Sequence, residues 1–320
     1  MASDPFLERV CQWITAHEAL QHFGTYAEKT QSQQHIKPLH WYVACRLVLE
    51  GGFHPDEINP HPPFRVTNTK NGGKALLYDT AVATGTESTI LGGLKTKNVD
   101  VVVTKHSLGP VLAVSCKGTI GAFRNLTNRM EEAVGDCTNL HITYPALVCG
   151  FMAVMRANRY EESAVEAAAE EAAEQAVAAL EPENAPASRQ LKANDIAIQQ
   201  GGEVVESIIR YHTAMKELTN RRGIRDDVSR YEAVALALVD SNSPTPGKIL
   251  AHFPPQDSPL RIEQFFQALY LRYDERYVYA APDLKRITRR EEWSPASPVL
   301  AMPEAVARLK DFSVRLDGVL

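Results

Sequence analysis

An acid that opens one apolar strand and a lysine that closes the next can together serve the hydrolysis of a phosphodiester. Residues 99–131 carry that pattern. VDVVV sets Asp100 at the start of an apolar run, His106–Pro110 reads as a turn, and VLAVSCKG ends in Ser115, Cys116 and Lys117. Side chains alternate faces along a strand, so Val111, Ala113, Ser115 and Lys117 share one face and Leu112, Val114 and Cys116 the other. Pairing of the two strands through the turn brings Asp100 and Lys117 together at one end of a hairpin. Burying charge is costly unless the charge is paired or binds a metal, which makes such a pair a candidate site. A divalent ion there neutralises phosphate charge and activates water. Magnesium takes oxygen ligands, usually one or two carboxylates with waters and substrate phosphate. The lysine positions or deprotonates the attacking water and stabilises the charged transition state. Ser115 stands where a second strand carboxylate is expected. Glu131, fourteen residues after Lys117 on the following helix, is the candidate substitute. Glu132, about 100° further around that helix, is the alternative.

These elements must be positioned by a mixed core. Residues 5–23 and 35–50 show helical spacing; the second has Pro38 near its start and Gly51-Gly52 as a stop. Trp41 and Tyr42 belong to its core face. Residues 53–74 read as loop, and 75–84, 99–104 and 110–117 as strands. A helix is expected from about 122 to 134, followed by the apolar run TYPALVCGFMAVM as a central, buried strand. Residues 160–180 form an Ala/Glu helix of high propensity. Beyond it, 189–219 and 227–239 read as helices, with a break at Gly201-Gly202. A proline-rich loop near 241–255, a helix at 260–272 and a strand at RYVYAAP complete the chain. The order implies an α/β (α+β) fold, a central mixed sheet flanked by helices, with a mainly helical C-terminal half. Residues 1–155 form the expected catalytic core and 156–320 a helical region for recognition or dimerisation, either as separate units or around one core.

The residues around Asp100 resemble the PD-(D/E)XK nuclease superfamily, whose core motif is an acid on one strand and (D/E)xK on the next. Val99-Asp100 looks like the PD element without its proline, and Ser115-Cys116-Lys117 like (D/E)xK with serine for the acid. One subgroup of type II restriction endonucleases is similar in this: it has SxK and a helix-borne carboxylate at the place of Glu131. The resemblance implies a restriction-endonuclease-like core and Mg²⁺ held by Asp100 and Glu131, with Lys117 beside the attacking water. It also implies a main-chain ligand from Cys116 and a further acid at Glu50. It covers roughly residues 36–155. It departs from the subgroup in its shorter gap between acid and lysine, and the serine also fits a fold that binds DNA without cutting it.

The chain has 320 residues, a net charge of −5, 44% apolar and 23% charged residues, which is ordinary for a globular protein. The charge is uneven. Between Arg65 and Met130 nine basic residues face only Asp79, Glu87 and Asp100. Lys74, Lys95, Lys97, Arg124 and Arg129 are therefore candidate contacts to a DNA backbone. NGGK (71–74) and GGLK (92–95) lack the spacing of a phosphate-binding loop, so no nucleotide cofactor is expected. His35 and His40 lie on different helix faces and, with His54 and His61, make no helical zinc pair. Arg221, Arg222 and Arg225 read as a helix end, and Lys285, Arg286, Arg289 and Arg290 as a second basic cluster. Five scattered cysteines without a CxxC pair fit a reducing cytoplasm, and no apolar run is long enough to span a membrane. The expectation is a Mg²⁺-dependent endonuclease of double-stranded DNA, acting as a cytoplasmic homodimer. The alternatives are a non-catalytic DNA-binding subunit with the same fold, and a ribonuclease.

Overall fold

The computed structural model describes residues 15–28, 33–160, 192–241 and 246–300, with the backbone of 315–316. Helices α1 (Ala16–Thr25) and α2 (Lys37–Leu49) come first. Strand β1 (Ile58–Asn59) and two small hairpins follow: β2 (Phe64–Asn68) with β3 (Lys74–Tyr78), and β4 (Ser88–Ile90) with β5 (Lys97–Val99). Then come β6 (Val101–Lys105), β7 (Gly109–Thr119), α3 (Leu126–Thr143) and β8 (Val148–Arg156). The chain continues through α4 (Glu206–Glu217), β9 (Ala233–Val239), β10 (Ile249–Leu250), α5 (Ile262–Tyr273), α6 (Lys285–Thr288) and β11 (Arg315–Leu316). One mixed sheet runs β1-β6-β7-β8-β9-β10-β11. The β1-β6-β7 meander is antiparallel, and β7, β8 and β9 are parallel. The protein is thus an α/β fold with helices on both faces of the sheet.

Alternation along the strands builds two cores. Val114, Cys116, Met152, Val154 and the alanines of β9 pack under α1, α2 and α5. Ala113, Phe151, Ala153, Leu236 and Leu238 pack under α3 and α4. A bulge where the β6–β7 register shifts, between Val103 and Thr104, leaves Val111 as the extra residue, so Val111 joins Leu112 in the first core. Below it the expected alternation holds. Small residues let α5 approach: a side chain at Gly150 would meet the Phe265 ring at 2.7 Å. Helix α2 is buried from Pro38 to Leu49 and includes Trp41 and Tyr42. It ends at Gly52, at φ +67°, whose N–H bonds Val48 O while the Phe53 N–H bonds Leu47 O, satisfying the last carbonyls of the helix.

Several expectations change in the C-terminal half. Residues 227–239 do not form a helix, since AVALALV is β9, buried at every position and flanked on both sides by strands. RYVYAAP is not a strand; Asp274–Tyr279 continue α5 as a π-helix, held by Tyr277 Oη on Ala146 O at 2.7 Å. The long helix over 189–219 shortens to α4, because Gly202 takes φ +88° and Ile198 bridges to Val204. Among its described residues this half is therefore not mainly helical, and β9 extends the sheet across the boundary expected at 155. The residues 5–14, 161–191 and 242–245 of the expected helices and loop lie outside those described.

Glu232, at the foot of β9, ties the layers together. Its carboxylate accepts from Arg221 at 2.9 Å, Arg276 at 2.8 Å and the Cys149 N–H at 2.7 Å, and lies 3.5 Å from His141. Arg221 is wholly buried, so it is a structural cation and not a phosphate contact. Burial works against the Glu232 carboxylate, yet His141 and Arg276 outweigh it and lower the pKa. A lowered carboxylate pKa contributes stability above the ordinary glutamate range that is lost as pH falls through the folded value. Glu232→Gln, which leaves Arg221 uncompensated, is expected to cost about 3–5 kcal/mol in urea unfolding at pH 7. The deficit is expected to shrink on acidification below about pH 4. A deficit independent of pH would contradict this account.

Candidate metal centre and adjoining cavity

Asp100 sits at a bend between β5 and β6, where the chain changes ladder partners. On one side Val99 pairs with Ser88 of β4, and continuing that register by one residue sets Glu87 opposite Asp100. On the other side Val101 pairs with Val114, and the same continuation sets Ser115 opposite Asp100. The carboxylate is buried, 3% exposed, and Oδ2 accepts the Cys116 N–H at 2.7 Å. Main-chain Cys116 thus meets Asp100 through its N–H. Oδ1 faces His40 Nε2 of α2 at 3.7 Å. His40, Glu87 and Asp100 each offer one ligand atom within 4.8 Å of the others. Asn59 of β1 steadies the Glu87 loop by donating to Ser88 Oγ at 2.7 Å and to Thr86 O.

The electrostatics follow from burial. Desolvation lowers the His40 pKa, Lys117 and Lys37 lower it further, and Asp100 opposes them, so the ring stays neutral with a lone pair to give. Burial and then the Asp100 charge raise the Glu87 pKa against the pull of Lys117, Lys37 and Lys97. Two carboxylates and an imidazole ringed by lysines can hold a divalent cation or, with it, a phosphate.

Lys117 also lines a cavity of about 440 Å³, together with Arg129, Glu132, Asp136, His35 and Tyr211 and the Gly118–Ala122 loop. Glu132 shares that wall because it sits beside Ala133 and Asp136 on the inward face of α3. Burial opposes its charged form, yet its bond from Arg129 at 2.9 Å and the charge of Lys117 lower its pKa.

The placement of the expected residues is mixed. Asp100 stands opposite Ser115 and accepts the Cys116 N–H, and Lys117 is the next residue of β7. Glu131 does not join them: it lies two residues, about 200°, from buried Ala133 and faces solvent. Glu50 is ten residues along α2 from His40, held by Arg46 and by Gln267 at 2.7 Å, far from Asp100. Lys97 is drawn into an ion pair with Asp136 at 2.5 Å, and Lys74 pairs with Glu291. Lys95 and Arg124 are exposed, and Arg129 is exposed beside Glu132. Arg290 of the second basic cluster pairs with Asp274 at 2.7 Å, and Arg289 with Glu292. Sequence reasoning missed His40 and Glu87. His40 was visible as a polar residue in an otherwise apolar helix, and Glu87 as a lone acid in a basic stretch; neither spacing shows that they meet.

A second set of metal-type groups, His141, Cys149 and Glu232, is buried. Both His141 nitrogens face carbonyl oxygens, Val228 O at 3.0 Å and Leu147 O at 3.2 Å, so both act as donors and the ring belongs to the ion network. All four described cysteines are free and buried, and among the described residues no helix is long and apolar enough to cross a membrane. No known family pattern, curated protein or solved structure matches the chain.

Asp100→Asn removes the charge that helps to hold the Glu87 proton. In a carbon-detected NMR pH titration the Glu87 carboxyl is expected to titrate lower in this variant. An unchanged midpoint would mean the two groups do not share a site.

Proposed function

We propose that the protein is a metal-dependent endonuclease of double-stranded DNA, of the restriction or prokaryotic defence type. The observation that carries this reading is a buried Asp100 held by the Cys116 N–H, one residue before Lys117 on β7, with a second carboxylate, Glu87, in its cluster. A divalent ion bound there, expected from the nuclease resemblance to be Mg²⁺, would neutralise the scissile phosphate and supply activated water. Asp100, fixed by the Cys116 N–H, would hold the ion; Lys117, next along β7 and part of the cavity lining, would steady the attacking water or the developing negative charge. The cavity walls carry Arg129 and the Gly118–Ala122 backbone, which suit a sugar-phosphate next to the cut. Lys95 and Arg124, exposed near this face, provide the backbone contacts, while Lys74 and Lys97 are engaged in ion pairs. Cutting both strands calls for two such sites, which a homodimer supplies. The free, buried cysteines suit a reducing cytoplasm.

The test is cleavage of supercoiled plasmid by purified protein across Mg²⁺ and Mn²⁺. Lys117→Ala is expected to lose on the order of 10²–10⁴-fold in rate, and Glu131→Ala to cut like wild type. Failure of wild type to cut with either ion would overturn the reading. DNA binding without cutting would instead mark a non-catalytic DNA-binding protein, the reading that the serine at 115 and the outward Glu131 favour.

A further inference from the structure

We infer that His40, Glu87 and Asp100 form one binding site for a first-row transition ion of the Mn²⁺ class, with an imidazole nitrogen as a direct ligand. The inference rests on the proposed function only in placing the ion beside Lys117; the site stands on its own geometry.

Three observations converge. His40 is 4% exposed, and its Nε2 makes no hydrogen bond, although it sits in a fully packed helix. A buried ring nitrogen left without a hydrogen bond is costly unless something else takes its lone pair. That nitrogen points at Asp100 Oδ1, 3.7 Å away. Two donors about 2.1–2.2 Å from a shared ion, at angles between octahedral and tetrahedral, stand about 3.0–3.5 Å apart. The pair is therefore slightly wider than a ligand pair and too wide for a hydrogen bond. Finally, the half-buried Glu87 closes the set within 4.8 Å, on a loop that Asn59 holds in place.

The donor types select the ion. Mg²⁺ favours an all-oxygen shell and keeps several waters. Imidazole suits first-row transition ions and carboxylates suit Mn²⁺, so one nitrogen with two carboxylates matches an ion that accepts both. Three protein ligands leave positions for water and a phosphate oxygen, the arrangement of a catalytic rather than a structural site. Asp100 is oriented for this from behind: the Cys116 N–H occupies Oδ2 and leaves Oδ1 toward His40. The ion would thus replace the helix-borne Glu131 of the sequence expectation with a helix-borne histidine.

The test uses the full chain, stripped of metal by chelation and dialysis, and titrated with Mn²⁺ under electron paramagnetic resonance. Wild type is expected to bind Mn²⁺ with a ¹⁴N modulation in the electron spin echo, and Mg²⁺ to displace it only in large excess. His40→Gln is expected to lose the ¹⁴N signal and to bind at least roughly tenfold more weakly. Glu87→Gln, on a loop outside both cores, is expected to weaken binding while keeping the ¹⁴N signal. It serves as the control should His40→Gln fail to fold by circular dichroism. Mn²⁺ bound without ¹⁴N coupling, undiminished binding by Glu87→Gln, or no Mn²⁺ binding would each overturn the site. Plasmid cleavage is scored separately. A nitrogen-coupled ion without cutting would support the site and sink the nuclease reading. Cutting with Mg²⁺ that survives His40→Gln would overturn the site and keep the nuclease reading.

Discussion

The bond from the Cys116 N–H to Asp100 Oδ2 is the constraint on which the site depends. A buried carboxylate needs a donor for each oxygen or a cation beside it. Here one oxygen is satisfied by the backbone of the next strand, so the carboxylate is held in the direction the sheet dictates. That direction turns the other oxygen toward His40 and Glu87. The same strand that provides the N–H carries Lys117 one residue later. The acid's carboxylate and the lysine's backbone are therefore both positioned by a single stretch of β7.

The sheet can hold this geometry because its middle is dry on both sides. Strands β8 and β9 are buried along nearly their whole length, with the β9 alanines and Gly150 toward α5 and Phe151, Leu236 and Leu238 toward α3 and α4. Close approach of α5 presses the sheet against a helix layer that also contains α2, and α2 carries His40. Across the sheet, and two residues along from the level of Asp100, Glu232 and its arginines clamp the foot of β9 to α3, β8 and the π-helix. In that network the carboxylate is matched by two arginines and a histidine, with Arg221 Nε left without a hydrogen bond; in the cluster around Asp100 the His40 Nε2 makes none.

Much of the hairpin was legible because strand alternation is a two-residue rule and the turn at His106–Pro110 is marked by Gly109 and Pro110. The α2 boundaries were legible for the same reason: Pro38 and Gly51-Gly52 act locally. The misread elements share a different cause. AVALALV has good helix formers and no polar face, so periodicity cannot tell a buried strand from a buried helix; only its neighbours in the sheet decide. RYVYAAP has aromatic, strand-like composition, but it directly follows α5, and by continuing the helix it brings Tyr277 to the Ala146 carbonyl. In both segments tertiary context overrode local preference.

The site divides along the same line. Asp100, Ser115 and Lys117 are linked by one hairpin, so spacing alone brought them together. Glu87 reaches Asp100 through the register of a separate two-stranded hairpin, and His40 through packing of a helix sixty residues upstream in the chain. No local rule connects these three. The choice of Glu131 followed a linear spacing, whereas the fold turns α3 by its apolar contacts, Ala133, Cys137 and Leu140, and these point Glu131 away. The packing of a helix thus decides which of its acids can serve, and the missing strand carboxylate at Ser115 is offset from a different layer altogether. A basic stretch with few acids deserves reading from its acids first, because each of them must be there against the local charge. Of the three in residues 65–130, Glu87 and Asp100 meet at the centre, and Asp79 alone serves its own hairpin by pairing with Arg65.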